Sequence, residues 1–492
     1  MANTPERLVV VSNRLPVSIK KTSAGWEIRP GSGGLVTALA PVLKDQGGIW
    51  IGWSGGIGDQ EIMEHIKTAS ADSGFDLHTV PLTADEIKDY YYGFSNEIIW
   101  PLFHDLQTRC NFRPEYWYRY IEVNKKFADR IAALSDENDF VWVHDYHLIL
   151  TAQKLKEADA SRKIGFFLHI PFPSVDIFIK LPWRGQILKA LLNYDIIGFQ
   201  TARDRRNFVN CIHMLYPDID IDWEAHIAIT TVGGREVRIG AFPISIDFGA
   251  FARDAASRET KERVQYLKEA MPECQVILGV DRLDYTKGIP ERLEAMRNAL
   301  RRYPDLHRKI TLVQVVVPSR QNIPEYGLLK ARIERMVGEI NGEFTKAGWV
   351  PIHYLYRHLD RCELLSYYRL ADIALVTPLK DGMNLVAKEY CACNYTNRGV
   401  LILSEFAGAA SQLHQWALIV NPYDIEGVSD AIHSAFYMDE KEKMDRMKKL
   451  RASIKKRDIF WWVKNYLETA LSKHPSSRPT NKETTSLAAK VP

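Results

Sequence analysis

Asp381 and Glu389 are carried by a single stretch, Asp381-Gly382-Met383-Asn384-Leu385-Val386-Ala387-Lys388-Glu389. Carboxylates placed in this way can accept hydrogen bonds from the vicinal hydroxyls of a sugar or a ribose. The apolar run Ile373-Ala374-Leu375-Val376 before them has the length and branching of a buried strand, and a helical pattern follows. At the joint, Asp381 reads as the N-cap of that helix and Gly382 as a place where a ligand can come close to backbone. The amides of Met383, Asn384 and Leu385 would then point out of the helix start, toward an anion or a hydroxyl. Leu385 and Glu389 share a face, so Glu389 reaches back over the same crevice. Taken alone, an ordinary capped helix with a solvated glutamate fits as well; the neighbouring motifs decide.

A cationic loop supplies the complementary chemistry. The strand Gln275-Val276-Ile277-Leu278-Gly279-Val280 ends in Asp281-Arg282-Leu283-Asp284-Tyr285-Thr286-Lys287-Gly288, and Ile289-Pro290 opens an amphipathic helix through Leu293, Met296 and Leu300. Arg282 and Lys287 thereby stand before a helix N-terminus, a basic, dipole-assisted pocket suited to a diphosphate. The strand from Ile310 to Val317 ends in Pro318-Ser319-Arg320.

The same grammar runs through the N-terminal half. Leu8-Val9-Val10-Val11 breaks at Ser12-Asn13-Arg14-Leu15-Pro16, and Phe140-Val141-Trp142-Val143 ends in His144-Asp145-Tyr146-His147. Ile164-Gly165-Phe166-Phe167-Leu168 ends in His169-Ile170-Pro171-Phe172-Pro173, and a helical segment with Tyr90, Tyr91, Tyr92, Phe94, Trp100 and Phe103 supplies aromatics, part of them for the core. Gly31-Ser32-Gly33-Gly34 leads into a helix and lets backbone amides approach a phosphate. No G-x-G-x-x-G occurs there, which counts against a nicotinamide or flavin enzyme.

The elements that position these residues alternate strand and helix, with polar loops gathered at the carboxyl ends of strands, as in a doubly wound parallel sheet. At 492 residues the chain is too long for one core. The α/β pattern restarts near Pro243, so two Rossmann-like domains are expected, 1–242 and 243–458, facing across a cleft. A terminal helix over 459–475 is expected to pack back on the first domain, and a tail over 476–492, rich in Ser, Thr, Lys and Pro, to be disordered. A net charge of +3 gives no argument for nucleic acid, and 46% hydrophobic with 25% charged residues is a soluble composition. No signal peptide or membrane span is read, and the six scattered cysteines fit reduced thiols of a cytoplasmic protein. Asp218-Ile219-Asp220-Ile221-Asp222 has the D-x-D form of a metal site but lies after a helix, far from the basic loop, and is not assigned one.

Together, Ser12-Asn13-Arg14, Gly33-Gly34-Leu35, Gly52-Trp53-Ser54-Gly55, Phe94-Ser95-Asn96, Trp142 to His147, Phe167 to Pro173, Arg282 to Gly288 and Asp381 to Glu389 resemble the trehalose-6-phosphate synthase family, in its order and spacing, from about residue 7 to 465. The resemblance implies a GT-B-type fold and a retaining transfer of glucose from UDP-glucose to glucose 6-phosphate; with Arg282 and Lys287 able to neutralise the departing diphosphate, no cofactor and no metal are expected. It implies that Arg14, Tyr91, Trp100, Asp145 and Arg320 hold the acceptor. Gly33, Gly34, Arg282, Lys287, Leu359, Leu385, Val386 and Glu389 would hold the donor, Glu389 on its ribose and Leu359 through its backbone. Asp381 and His169 would contact the transferred glucose and, with Arg282 and Lys287, form the catalytic set. Two alternatives stay open: another phosphorylated acceptor such as glycerol 3-phosphate, or a catalytically silent regulatory homologue. Homo-oligomerisation, the choice of nucleotide and allosteric control are not read from the sequence.

Overall fold

Strands buried on both faces must be apolar throughout, and the apolar runs of this chain assemble into two sheets of that kind. The computed structural model describes residues 7–22, 25–30, 34–57, 60–158, 162–224, 227–271, 274–320 and 323–472, so Gly33 and the tail from 476 lie outside the described residues. The first sheet runs in the order Asp76–Thr79, Ile49–Trp53, Leu8–Arg14, Phe140–His144, Lys163–Phe167, Ile196–Phe199, Arg235–Ala241, Ile227–Val232, Ile221–Glu224. Neighbours are parallel as far as Arg235–Ala241, and the last two strands are antiparallel additions. The second sheet is wholly parallel, in the order Ile352–Tyr356, Ile310–Val317, Gln275–Arg282, Ile373–Val376, Val400–Ser404, Leu418–Val420.

Both sheets start near their middle, grow to one side, then return and grow to the other. The reversal falls between Leu8–Arg14 and Phe140–His144 in the first and between Gln275–Arg282 and Ile373–Val376 in the second. An open α/β sheet leaves a crevice at the carboxyl ends beside such a reversal. Arg14, Asp145, Arg282, Lys287 and Asp381 all sit at those ends.

The aromatic segment is a helix, Ile87–Ile99, wound wider than an α-helix: the Trp100 N–H that closes it bonds Ser95 O. Tyr90, Phe94, Trp100 and Phe103 are buried, while Tyr91 and Tyr92 are half-buried. The last helix, Ile459–Leu471, lies on the first sheet, with Trp462 stacked on Trp142 at 4.9 Å and Tyr466 on Trp142 at 4.3 Å. Glycine makes that approach possible: a Cβ on Gly165 would lie 2.6 Å from the Tyr466 hydroxyl oxygen. The six cysteines are free, and among the described residues no helix is long and apolar enough to cross a membrane.

Candidate active site

In the second sheet, two loops leaving adjacent strands are pinned into one unit. Leu379 N donates to Thr286 O at 2.8 Å, and Gly288, in the left-handed region at φ +63°, brings its backbone so close that a Cβ would lie 2.4 Å from Thr377 O. Arg292 ties both loops from beneath: it is 1% exposed, donates through Nε to Thr377 Oγ1 at 3.0 Å and through Nη2 to Lys287 O at 3.4 Å, and pairs with Asp281. The consequence is that Lys287 Nζ rests on Asp381 Oδ2 at 2.6 Å. Burial opposes ionisation of Asp381, but the Lys287 ammonium holds its carboxyl below the usual carboxylate range.

This pairing corrects one expectation. Asp381 does not cap the helix, which is Leu385–Cys393 with Asn384 as N-cap; the Asn384 side chain accepts from Ala387 N at 3.2 Å. Asparagine tolerates the left-handed φ of +62° found there. Asp381 instead bends its own loop, accepting Met383 N–H through Oδ1 at 3.1 Å, so that amide is not free. Glu389 follows in the helix, half-buried, accepting the Tyr368 hydroxyl at 2.8 Å, and burial raises its pKa. Leu359, Leu385 and Val386 belong to one apolar cluster beside it. Gly34 opens the helix Gly34–Gln46.

The first sheet faces this with an aromatic wall between two guanidinium groups. Arg14 lies over Trp53 at 4.1 Å and over Tyr91 at 5.8 Å; Tyr91 stacks on His147, His147 touches Tyr146, and Tyr146 meets Trp100 at 5.8 Å. Arg320, from the second half, covers Trp100 at 4.1 Å and donates to the Tyr146 hydroxyl at 3.3 Å. Asp284 and the Tyr326 hydroxyl hold its other side, at 3.2 and 2.6 Å. Burial drives His147 well below its usual range, and Arg320 and Arg14 both push it further the same way, so both cations are felt at one ring. Arg282 is exposed, 6.0 Å from the Trp100 ring, and makes no ion pair among the described residues.

Asp145 turns back at φ +75° and accepts His169 N–H at 3.2 Å. Burial lifts its carboxyl to about 6, against the pull of Arg282 and Arg320. The His169 ring is buried, with Nε2 3.1 Å from His144 Nδ1 and Nδ1 3.4 Å from Gln200 Nε2. Its carbonyl lies against Gly382, where a Cβ would come within 2.3 Å of it. Lys380 and Asp105 form an ion pair across the same seam. A cavity of about 640 Å³ opens there, lined among others by His104, Pro171, Arg203, Asp381 and Gly382. Asp218, Asp220 and Asp222 are exposed, and no group able to hold a metal ion is found among the described residues.

The site therefore brings cations and carboxylates of both halves to facing loops, an arrangement for binding and transferring between anionic, hydroxyl-rich molecules. The family model for glycosyltransferase family 20 matches residues 6–472. The chain belongs to glycosyltransferase family 20. As a member it is a glycosyltransferase of the GT-B type. A trehalose-6-phosphate synthase of Mycolicibacterium smegmatis is 41% identical to it over 468 residues, covering 94% of this chain and 91% of the relative. A Burkholderia xenovorans α,α-trehalose-phosphate synthase (UDP-forming), solved with glucose-6-phosphate, superposes with a TM-score of 0.86 at 33% identity over 95% of this chain and all 100% of that one. An E. coli structure bound with UDP-2-fluoro glucose gives a TM-score of 0.85 at 36% identity, over 96% and 100% of the two chains. In this family 20 chain, pattern alone does not single out Arg292, His104 or Tyr326. A charged residue inside an amphipathic helix reads as solvated; Arg292 finds Thr377, and Tyr326 finds Asp284, across distant segments, while the His104 ring bonds only the nearby Trp100 carbonyl among the described residues and its place at the cavity comes from the fold.

Proposed function

We propose that the chain transfers glucose from UDP-glucose to glucose 6-phosphate with retention, forming α,α-trehalose 6-phosphate and UDP. The observation that carries the reading is the convergence of Arg14 and Arg320, one from each half, on the wall around His147. An ester phosphate of nearly two charges fits between such groups, and guanidinium is the residue of choice for it. The acceptor then draws the halves together, with Tyr91, Trp100 and Asp145 around its sugar. The proposed domains are 1–242 and 243–458, with the last helix returning to the first.

The donor is placed on the second half. UDP lies along Gly33, Gly34, Arg282, Lys287, Leu359 and the turn Leu385, Val386 and Glu389, and the transferred glucose lies at Asp381 and His169. As the glycosidic bond breaks, charge grows on the leaving diphosphate, and Arg282 and Lys287 meet it without reorganising. Lys287 is already held in place by Asp381. The acceptor hydroxyl enters on the face that UDP leaves, and a phosphate oxygen of UDP takes its proton, so no carboxylate nucleophile is required. The relatives named above support this reading through their names and bound molecules.

The test measures UDP release from UDP-glucose with a panel of phosphorylated acceptors, together with trapping of any glucosyl-protein adduct. Turnover with glucose 6-phosphate at least a hundredfold above glycerol 3-phosphate is expected. Preference for the polyol phosphate, no turnover with any acceptor, or a covalent glucosyl adduct would each overturn it.

A further inference from the structure

Lys388 precedes Glu389 on the helix Leu385–Cys393 and is only 2% exposed. Its ammonium makes two hydrogen bonds, to Ile244 O at 2.7 Å and to Gln412 Oε1 at 2.8 Å, and no carboxylate pairs with it among the described residues. Burial lowers its pKa to about 7, and Arg457 acts in the same direction. A buried charge without a counter-ion is costly, and an apolar side chain of similar length would avoid that cost only by leaving the Ile244 carbonyl without this donor. The lysine is therefore kept for the two bonds it makes.

The oxygen it grips belongs to the peptide that joins the two sheets. The strand Arg235–Ala241 ends the first sheet's part of the chain, and Ile244 lies just beyond it. While Lys388 holds the Ile244 carbonyl from the second half, Gln200 Oε1 accepts the Ile244 N–H from the first half at 3.0 Å. The amide of Gln200 faces the His169 ring, and His169 O lies against Gly382, which closes the circuit back to the loop before Lys388. The connecting peptide is thus clamped from both sides, and each clamp sits beside a residue proposed to touch the donor.

We propose that Lys388 is a positioning residue, whose ammonium couples the setting of the connecting peptide at Ile244 to the turn that presents Glu389, so that closure of the halves and alignment of the donor occur together. Lysine suits this role because a compact ammonium with three donors on a flexible stem keeps both bonds while the peptide tilts. The inference rests on the transferase reading above.

The test compares full-length wild type with Lys388→Met, which keeps the length of the side chain and removes its donors, and with Gln412→Leu, which leaves the Ile244 bond intact. Hydrogen exchange of the segment 242–246 in the free protein, calorimetric binding of UDP, and kcat are measured. For Lys388→Met, exchange at 242–246 should rise at least tenfold with the strand Gln275–Arg282 unchanged. Its kcat should fall ten- to a hundredfold while the Kd for UDP stays within threefold. Gln412→Leu should stay within threefold of wild type on all three readouts. A Lys388→Met protein with wild-type exchange and kcat, or a Gln412→Leu protein as impaired as Lys388→Met, overturns the proposal. If Lys388→Met does not fold, Lys388→Arg decides: retained protection at 242–246 with at least a third of wild-type kcat supports the coupling, and lost protection with full kcat refutes it. Exchange and UDP binding are read without acceptor, so a wild type inert toward glucose 6-phosphate would sink the substrate assignment and leave the exchange result standing.

Discussion

Replacing Asp145 by asparagine should make the protein more stable and less active. The carboxyl sits at about 6 in the folded chain instead of its ordinary 3.8, because burial outweighs the bonds and cations that favour its charge. Below about pH 4 the group is protonated in both folded and unfolded chains and costs nothing. Between about 4 and 6 the unfolded chain releases its proton while the folded one keeps it, so stability falls as pH rises, by about 3 kcal/mol once both have ionised. Asparagine keeps the acceptor for His169 N–H and tolerates the positive φ, but has no charge to bury. A chain of this length unfolds with roughly 1 kcal/mol/K of entropy, so the variant should melt about 3 °C higher at pH 8 and within ~1 °C of wild type at pH 4. Its kcat/KM for the acceptor should fall ~10- to 150-fold, the value of one charge-assisted hydrogen bond. Thermal scans at the two pH values, paired with acceptor kinetics, make the check. A lower melting temperature at pH 8, or an equal gain at both pH values, would refute the reasoning.

Three further outcomes follow from distances in the site. Lys287→Met strands the Asp381 carboxylate and should cost about 3 to 5 kcal/mol of stability; it should also cut kcat at least ~10-fold, read by melting and UDP release. Gly382→Ala drives a methyl group against His169 O and must push the halves apart by a repulsion of about 1 to 3 kcal/mol. Small-angle scattering should show a more open particle and kinetics a ~5- to 150-fold loss. Because Arg282 and Lys287 are proposed to neutralise the departing diphosphate, activity in excess chelator should match the untreated enzyme, and a loss restored by a divalent cation would contradict that role.

Much of the scaffold was legible because parallel strands covered on both faces become unbroken apolar runs: Val9, Val10 and Val11, or Ile373, Leu375 and Val376, carry no alternation to confuse them. The antiparallel edge was not. Ile221–Glu224 and Ile227–Val232 are partly exposed, and the signal for the hairpin that joins Ile227–Val232 to the parallel strand Arg235–Ala241 was the Gly233-Gly234 turn, with both residues at positive φ as a two-residue hairpin requires. At the site, loop positions at strand ends were readable for Arg14, Asp145, Arg282 and Lys287. The helix cap was misplaced because Asp381 and Asn384 are equally good caps locally. The choice between them is made by Lys287, held under Asp381 by Arg292, and no local pattern carries that information.

The chain passes between the halves twice, once at 242–246 and again on the way into Ile459–Leu471, and the two passages are bonded to each other where Ile459 N donates to Ile246 O at 3.0 Å. A single tether would let two bodies swivel about any direction. A pair of tethers bonded to each other restricts that swivel, so that any opening of the halves turns about the place where Ile246 and Ile459 meet. The junction is therefore a bound hinge rather than a loose thread, and it narrows the directions from which opposite loops can approach each other.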